Sequence, residues 1–450
     1  MSLRSRSLWL QRAGFVCVVA IAMFSMPQVC AGQLLGGGSA VGGVQIDSDG
    51  VLRNATVQET KVLRENREAL LKSLPDDLAH GGIRRISLNR LQAAIRERVE
   101  AGASPVVTEE MELLGGMTRI QYVFAVPEEN DIVLVGPAER PTIDAQGNVV
   151  GAKTGTPILR LDHFLVALRT AEATARQPIT CSIDPTKEGL QRFAQYMRQV
   201  RGNHPNLITD VEAALGPQKL TIQGVPLDSE LARTMFAADY RMKRIAMGHE
   251  PSNVRGIKSY VDMMTSANAA TPRWWLAPKY DAIVRDADGL SWELRGPGVQ
   301  VLTEDSVITA SGETKRQGRA NPLAQRFADQ MTTNYEELSK KHPVFGELRN
   351  VIDMAIIAAV ITKSNMLTTA GCDLSILLDA QALPTIDYDA VPQFVETKAS
   401  VLAKRGRTFV TASGGVEINS WKILDEKQTD GKLKLVTGDV APMGDHWWWD

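Results

Sequence analysis

Between Asp239 and Arg244 the sequence reads DYRMKR, an acid, a phenol and three bases within six positions. Carboxylate, phenol and guanidinium groups at the edge of one element could line a groove. Charge-assisted hydrogen bonds would then hold an anionic or sugar-like ligand. Asp239, Tyr240, Arg241, Lys243 and Arg244 are the candidate ligand-binding residues. Asp387 and Asp389, in IDYDA, form a second pair. On a strand they would share one face at about 7 Å, close enough to share a cation or flank a scissile bond. Solvated acids of a strand or turn give the same pattern more often. Together with Asp239 they are the acids that a hydrolase acting on a polymer would use.

Trp447, Trp448 and Trp449 could stack on sugar rings or sit at a membrane interface. Docking on the protein's own surface, or fraying, suits a segment so near the end of the sequence better. His163 falls at a helix start, His204 in a GNHPN loop and His342 before a proline, so all three read as exposed loop or cap residues. DSDG at 47–50 lacks the third acid and distal glutamate of a calcium loop and reads as a turn. No phosphate-binding loop, dinucleotide fingerprint, G-x-S-x-G, S-x-x-K, C-x-x-C or H-E-x-x-H occurs. No catalytic residue, cofactor or metal ligand is therefore assigned.

The element that must position the DYRMKR residues is a helix over Asp228–Gly248. Leu231, Met235, Ala238, Met242 and Ile245 recur as one narrow stripe, and Phe236, Tyr240 and Met247 gather opposite. A helix with two apolar faces belongs between two layers. Asp239 and Lys243, four apart, are expected as an exposed flank pair contributing ~0.3–0.5 kcal/mol. Arg241 lies on the other flank, and Gly248 ends the helix. Helical periodicity thus accounts for the cluster without catalysis.

The remaining periodicities predict helices at Thr60–Ser73 and after Ser87. RIQYVFAV and DIVLVGPA flank PEEN as a hairpin, and IDAQGNVVG is a turn between short strands. Asp162 is expected to cap a helix burying Leu161, Phe164, Leu165 and Leu168. Asp184 and Pro185 are expected as N-cap and first-turn residues of a helix burying Leu190, Phe193, Met197 and Val200. KLTIQGV is another strand. Residues 265–272 (TSANAATP) read as a linker, followed by a β-meander through DADGL. Helices starting at Asn321-Pro322 and His342-Pro343 form an antiparallel pair, the first burying Leu323, Phe327, Met331 and Leu338. MAIIAAVI in the second, apolar all round, indicates a core helix. RTFVTASGGVEI and KLKLVTG return to strand patterns.

The expected division is a signal peptide at 1–31, a glycine-rich start with strand and helix at 32–82, and a mixed α/β domain at 83–264. A meander with helical pair at 273–362 and a strand-rich C-terminal segment at 363–450 complete it. The fold class is α+β: a mixed β-sheet covered by helices, then the meander, the helix pair and the C-terminal strands.

Residues 1–31 place Arg4, Arg6 and Arg12 before an apolar run from Phe15 to Met26, then VCA. This is the order of a secretory signal peptide cleaved near Ala31, and the run is shorter than the ~20 residues of a membrane span. Its removal takes away three positive charges, so a net charge of −2 becomes −5. Charges are spread evenly, which argues against nucleic acid and anionic membrane surfaces as partners. Cys181 and Cys372 would remain. An oxidising compartment allows a disulfide between them, worth on the order of 5 kcal/mol, against the plainer reading of two buried thiols.

GVPLDSELARTMFAADYRMKRIAMG, RWWLAPKYDAI and YEELSKKHPVFGELRNVIDMAIIAAVI resemble a family of exported planctomycete proteins classed as a domain of unknown function. The resemblance covers roughly Gly81 to Ile361, with ADYRMK its most specific element. It implies secretion and a large α/β unit, and assigns no activity, cofactor or catalytic residue. The expectation is an exported, periplasmic or extracellular, non-enzymatic binding or scaffolding protein of the envelope. Its partner would be an envelope protein or polysaccharide. The alternative is a secreted or periplasmic hydrolase acting through scattered carboxylates.

Overall fold

The structure, a computed structural model, describes residues 40–41, 44–46, 52–72, 74–79, 81–200, 205–264, 271–308, 314–316, 321–385, 393–402, 408–435 and 448–450. The expected signal peptide, the DSDG turn, His204, Asp387, Asp389 and Trp447 lie outside the described residues.

The fold is α+β, built on two mixed sheets. In spatial order the seven-stranded sheet runs Thr314–Arg316, Gly298–Ile308, Thr271–Lys279, Ser413–Ile418, Ile179–Pro185, Gln218–Gln223 and Phe394–Val395. Its one parallel pairing joins Thr271–Lys279 to Ser413–Ile418. The six-stranded sheet runs Gln428–Asp430, Ala282–Arg285, Ser291–Arg295, Tyr122–Val126, Asp131–Ala138 and Gly82–Ser87. Both sheets take strands from the segments expected as separate domains, so the boundaries at 264 and 363 do not part the chain into independent sheets. The meander is shared too: the 282–285 and 291–295 hairpin joins the six-stranded sheet, whereas the next strand turns into the seven-stranded one.

The central strand, Ser413–Ile418, depends on two glycines. A Cβ at Gly414 would sit 1.9 Å from the Trp274 carbonyl oxygen, and one at Gly415 would sit 1.8 Å from that of Cys181. Gly414 also has φ +115°, a backbone conformation other residues resist.

Helix Glu230–Ala246 packs against strands 179–185 and 413–418 and against helices Pro343–Lys363 and Leu161–Thr170. Leu231, Met235, Ala238, Met242 and Ile245 are all buried, as are Phe236, Tyr240 and Met247 on the other face. The interlayer placement read from its two apolar faces is the observed one. MAIIAAVI is buried along its whole length. Among the described residues no helix is long and apolar enough to cross a membrane. Asp353, at the middle of that helix, has no exposure and accepts from Arg119 Nε at 2.7 Å and from the Tyr280 hydroxyl at 2.5 Å. This buried pair ties the helix to residues leading into both sheets.

Several boundaries differ from expectation. Strand 179–185 keeps its pairing through Pro185, opposite Gln218. Thr186 is therefore the N-cap that follows, and its hydroxyl accepts the Gly189 N–H at 3.0 Å. Asp162 sits in the first turn of its helix rather than at the cap, which is Arg160. The helix starting at Pro322 ends at Thr333, and Leu338 belongs to a separate helix, Tyr335–Lys341. Thr271 and Pro272, expected in a linker, begin a strand. Gln428–Asp430 forms a strand, whereas residues 432–435 of KLKLVTG do not.

Candidate functional site

Ser229 caps helix 230–246, its hydroxyl accepting the Ala232 N–H at 3.2 Å. From there the five candidate residues spread around the helix rather than meeting in one place. Asp239 and Lys243 face the seven-stranded sheet. Lys243 Nζ donates to Asp239 Oδ2 at 2.7 Å, to the Ile183 carbonyl at 2.7 Å and to the Gly414 carbonyl at 3.2 Å. Asp239 is 0% and Lys243 6% exposed, which corrects the expected exposed flank pair. The reason lies in the partner strands: the ammonium finds the carbonyls of Ile183 and Gly414 there instead of water. Burial pushes the Asp239 carboxyl up to about 7, with Lys243 opposing the shift.

Tyr240 and Arg244 lie together on the adjoining flank, the guanidinium 5.6 Å from the ring centroid. With Lys243, Met247, His249, Glu396 and Lys398 they border a shallow groove of ≈ 30 Å³. Arg241 leaves by the opposite flank. Its guanidinium and that of Arg244 each lie 3.4 Å from Glu250. His342 Nδ1 is 3.7 Å from the same carboxylate, and its Nε2 is 3.0 Å from the Ser252 carbonyl. His342 is thus a buried anchor rather than an exposed cap. Burial and the nearby Arg241 hold it below the usual imidazole range.

These contacts fix the 248–259 loop, which borders a cup of ≈ 480 Å³ at the end of the helix. Ile245, Val254 and Ile257 supply its apolar wall. Glu250, Ser252, Asn253, Lys258, Ser259 and Asp262 supply polar groups. Its volume is that of an ordinary small-ligand pocket.

A denser polar cluster lies at the opposite, N-terminal end of the same helix. Arg160 Nη2 lies 3.1 Å from Glu112 Oε1 and 3.4 Å from Asp162 Oδ2, and Nη1 pairs with Glu230 Oε1. His163 follows Asp162 and is 3% exposed, which corrects its expected surface position. Burial, then the neighbouring Asp162 charge, pushes Glu112 well up. Glu230 is raised to about 7 by burial. Burial also pushes Asp162 up, but Arg160 and His163 outweigh it and hold the carboxyl low. His163 is held down at about 4, chiefly by burial. Such shifts concentrate at functional sites and at structural ion networks alike. A recess of ≈ 20 Å³, bordered by Arg67, Asn148, Val149, Ile158, Arg160, Glu230 and Glu347, reaches this cluster.

The sequence gives little warning of it. Glu112, Arg160 and Glu230 are 48 and 70 residues apart, and only the Asp162-His163 dipeptide at a helix start could have drawn notice. Elsewhere, Cys181 and Cys372 are separate buried thiols, not a disulfide. Trp448 is 1% exposed, and Trp449 lies under Arg84, whose guanidinium carbon is 4.2 Å from the ring centroid. Both indoles dock on the protein itself. Ser87 donates to the Trp448 carbonyl at 2.8 Å, and Arg85 and Asp450 exchange backbone hydrogen bonds at 3.1 Å. Residues 448–450 thereby extend the six-stranded sheet beyond strand 82–87.

Residues 181–260 match the model of a family described as a protein of unknown function (DUF1598). The matched stretch holds all five candidate residues and most of the cup. No curated protein and no solved structure matches the chain.

Proposed function

We propose that this is an exported, non-enzymatic binding or scaffolding protein of the periplasm, envelope or extracellular space, and that the cup at the end of helix 230–246 takes a polar segment of an envelope polysaccharide. One observation carries the reading. The cup offers ≈ 480 Å³ of concave space with polar groups beside an apolar wall, and Arg241 and Arg244 hold its loop through Glu250 while His342 holds it at the Ser252 carbonyl. A pre-formed loop loses little freedom when a ligand arrives, and preorganisation favours affinity. Export rests on the basic, apolar, small-residue order of residues 1–31.

The test uses the protein beginning at residue 32, titrated calorimetrically against purified envelope polysaccharide. Binding that falls at least about tenfold in Asp262→Ala and Asn253→Ala supports the reading, ~1.4 kcal/mol per decade. Binding unchanged in both variants, or none at all, overturns it. Release of new reducing ends from the polymer would favour the hydrolase instead. One feature speaks for that alternative: acids from distant segments meet at Arg160. They do so beneath a recess of ≈ 20 Å³, room for about one water or ion and too little for a sugar ring.

A further inference from the structure

Asp162 and His163 lie in the first turn of helix 161–170, and Glu230 opens helix 230–246. One ligand atom from each lies within 4.8 Å of the other two. All three residues are buried, and two of their polar atoms, His163 Nε2 and Glu230 Oε2, have no hydrogen-bond partner. Buried polar atoms without partners are costly and uncommon. Glu112, Asp162 and Glu230 set three carboxylates around the single guanidinium of Arg160. A bound divalent cation would keep all three ionised, and the two negative charges then left over match its own.

A purely structural account is available: first-turn acids suit helix N-termini, and Arg160 offsets part of their charge. It leaves His163 Nε2 without a partner and gives the Glu230 carboxyl only a hydrogen bond to Asp162 beyond its pair with Arg160. A cation satisfies both. An imidazole with two carboxylates is a donor set for zinc, with a further position open to water. The recess bordered by Arg160 and Glu230 is large enough for a water on the Glu230 side.

We propose that Asp162, His163 and Glu230 ligate one divalent transition-metal cation, with zinc the fitting representative. The cation joins the starts of two helices that hold the core of the molecule, and Arg160 and Glu112 orient the carboxylates around it.

The experiment takes untagged protein stripped with chelator, reloaded with zinc and analysed for bound metal. One equivalent per chain is expected, with a Tm raised by a few degrees at saturating zinc. Glu230→Gln and His163→Leu should each weaken zinc at least ~100-fold and remove the Tm rise. Should either variant fail to fold, cobalt added to the wild-type protein decides. Ligand-field bands of nitrogen and oxygen coordination without a thiolate charge-transfer band support the site. Uptake of less than a tenth of an equivalent of zinc, manganese or cobalt by folded wild-type protein overturns it. So does a thiolate band, or undiminished affinity in both variants.

Discussion

The ammonium of Lys243 lies 2.7 Å from the Asp239 carboxylate in the interior, and it also bonds to the carbonyls of Ile183 and Gly414 on two adjacent strands. One side chain therefore fastens the helix to the join at the middle of the seven-stranded sheet. Removing one partner of a buried pair strands the other, at about 3–5 kcal/mol. Lys243→Ala should lower unfolding free energy by that amount in denaturant titrations at pH 8. The double variant Asp239→Leu/Lys243→Met should recover most of the loss, since matched apolar replacements are often neutral. A single-variant loss below about 1 kcal/mol, as for an exposed pair, would contradict the buried placement.

The same pair sets a pH dependence. Lys243, Asp184 and Arg273 are the charged groups acting on Asp239, and burial is the largest influence, raising its carboxyl to about 7. The unfolded chain releases that proton near 4. Between those values the folded state holds a proton the unfolded state has lost, so stability falls as pH rises. The contribution is fully present below about 4 and gone once pH has risen through about 7. Unfolding free energies of wild type and Asp239→Asn, measured from pH 4 to 8, should therefore drift in the variant's favour. A constant difference would mean that Asp239 does not titrate in this range.

Trp448 fills a buried position beside strand 82–87, and residues 448–450 cover that strand's outer edge. Trp448→Ala should cost about 3–5 kcal/mol, the range for a large buried aromatic. Deleting residues 448–450 should also expose an unpaired strand edge and promote self-association, read by light scattering as the protein is concentrated. A truncated protein that stays monodisperse with unchanged stability would show that the tail contributes nothing.

Local periodicity made much of the fold legible. The helix over 230–246 was readable from Leu231, Met235 and Met242 on one side and Phe236 on the other. The 122–138 hairpin and the MAIIAAVI core helix were readable in the same way. Sheet membership was not, because it depends on pairings such as Trp275 with Gly415, 140 positions along the chain. The DYRMKR residues are spread apart for a related reason. Adjacent residues of a helix project in different directions, so a dense run of polar letters is spread around its circumference. The buried cluster around Arg160 is the converse: near neighbours in space with almost no proximity in sequence. The burial of Lys243 was hidden because the carbonyls that receive it belong to strands the helix meets only after folding.

The position of Ser413–Ile418 imposes an order of assembly. This strand separates 271–279 on one side from 179–185 on the other, so until it arrives the two halves of the sheet have no neighbour in common. A nascent chain halted before residue 413 would hold every other strand of that sheet and still present two bare edges at its centre. The keystone is thus synthesised after every other strand of that sheet, and completion of the interior must await it.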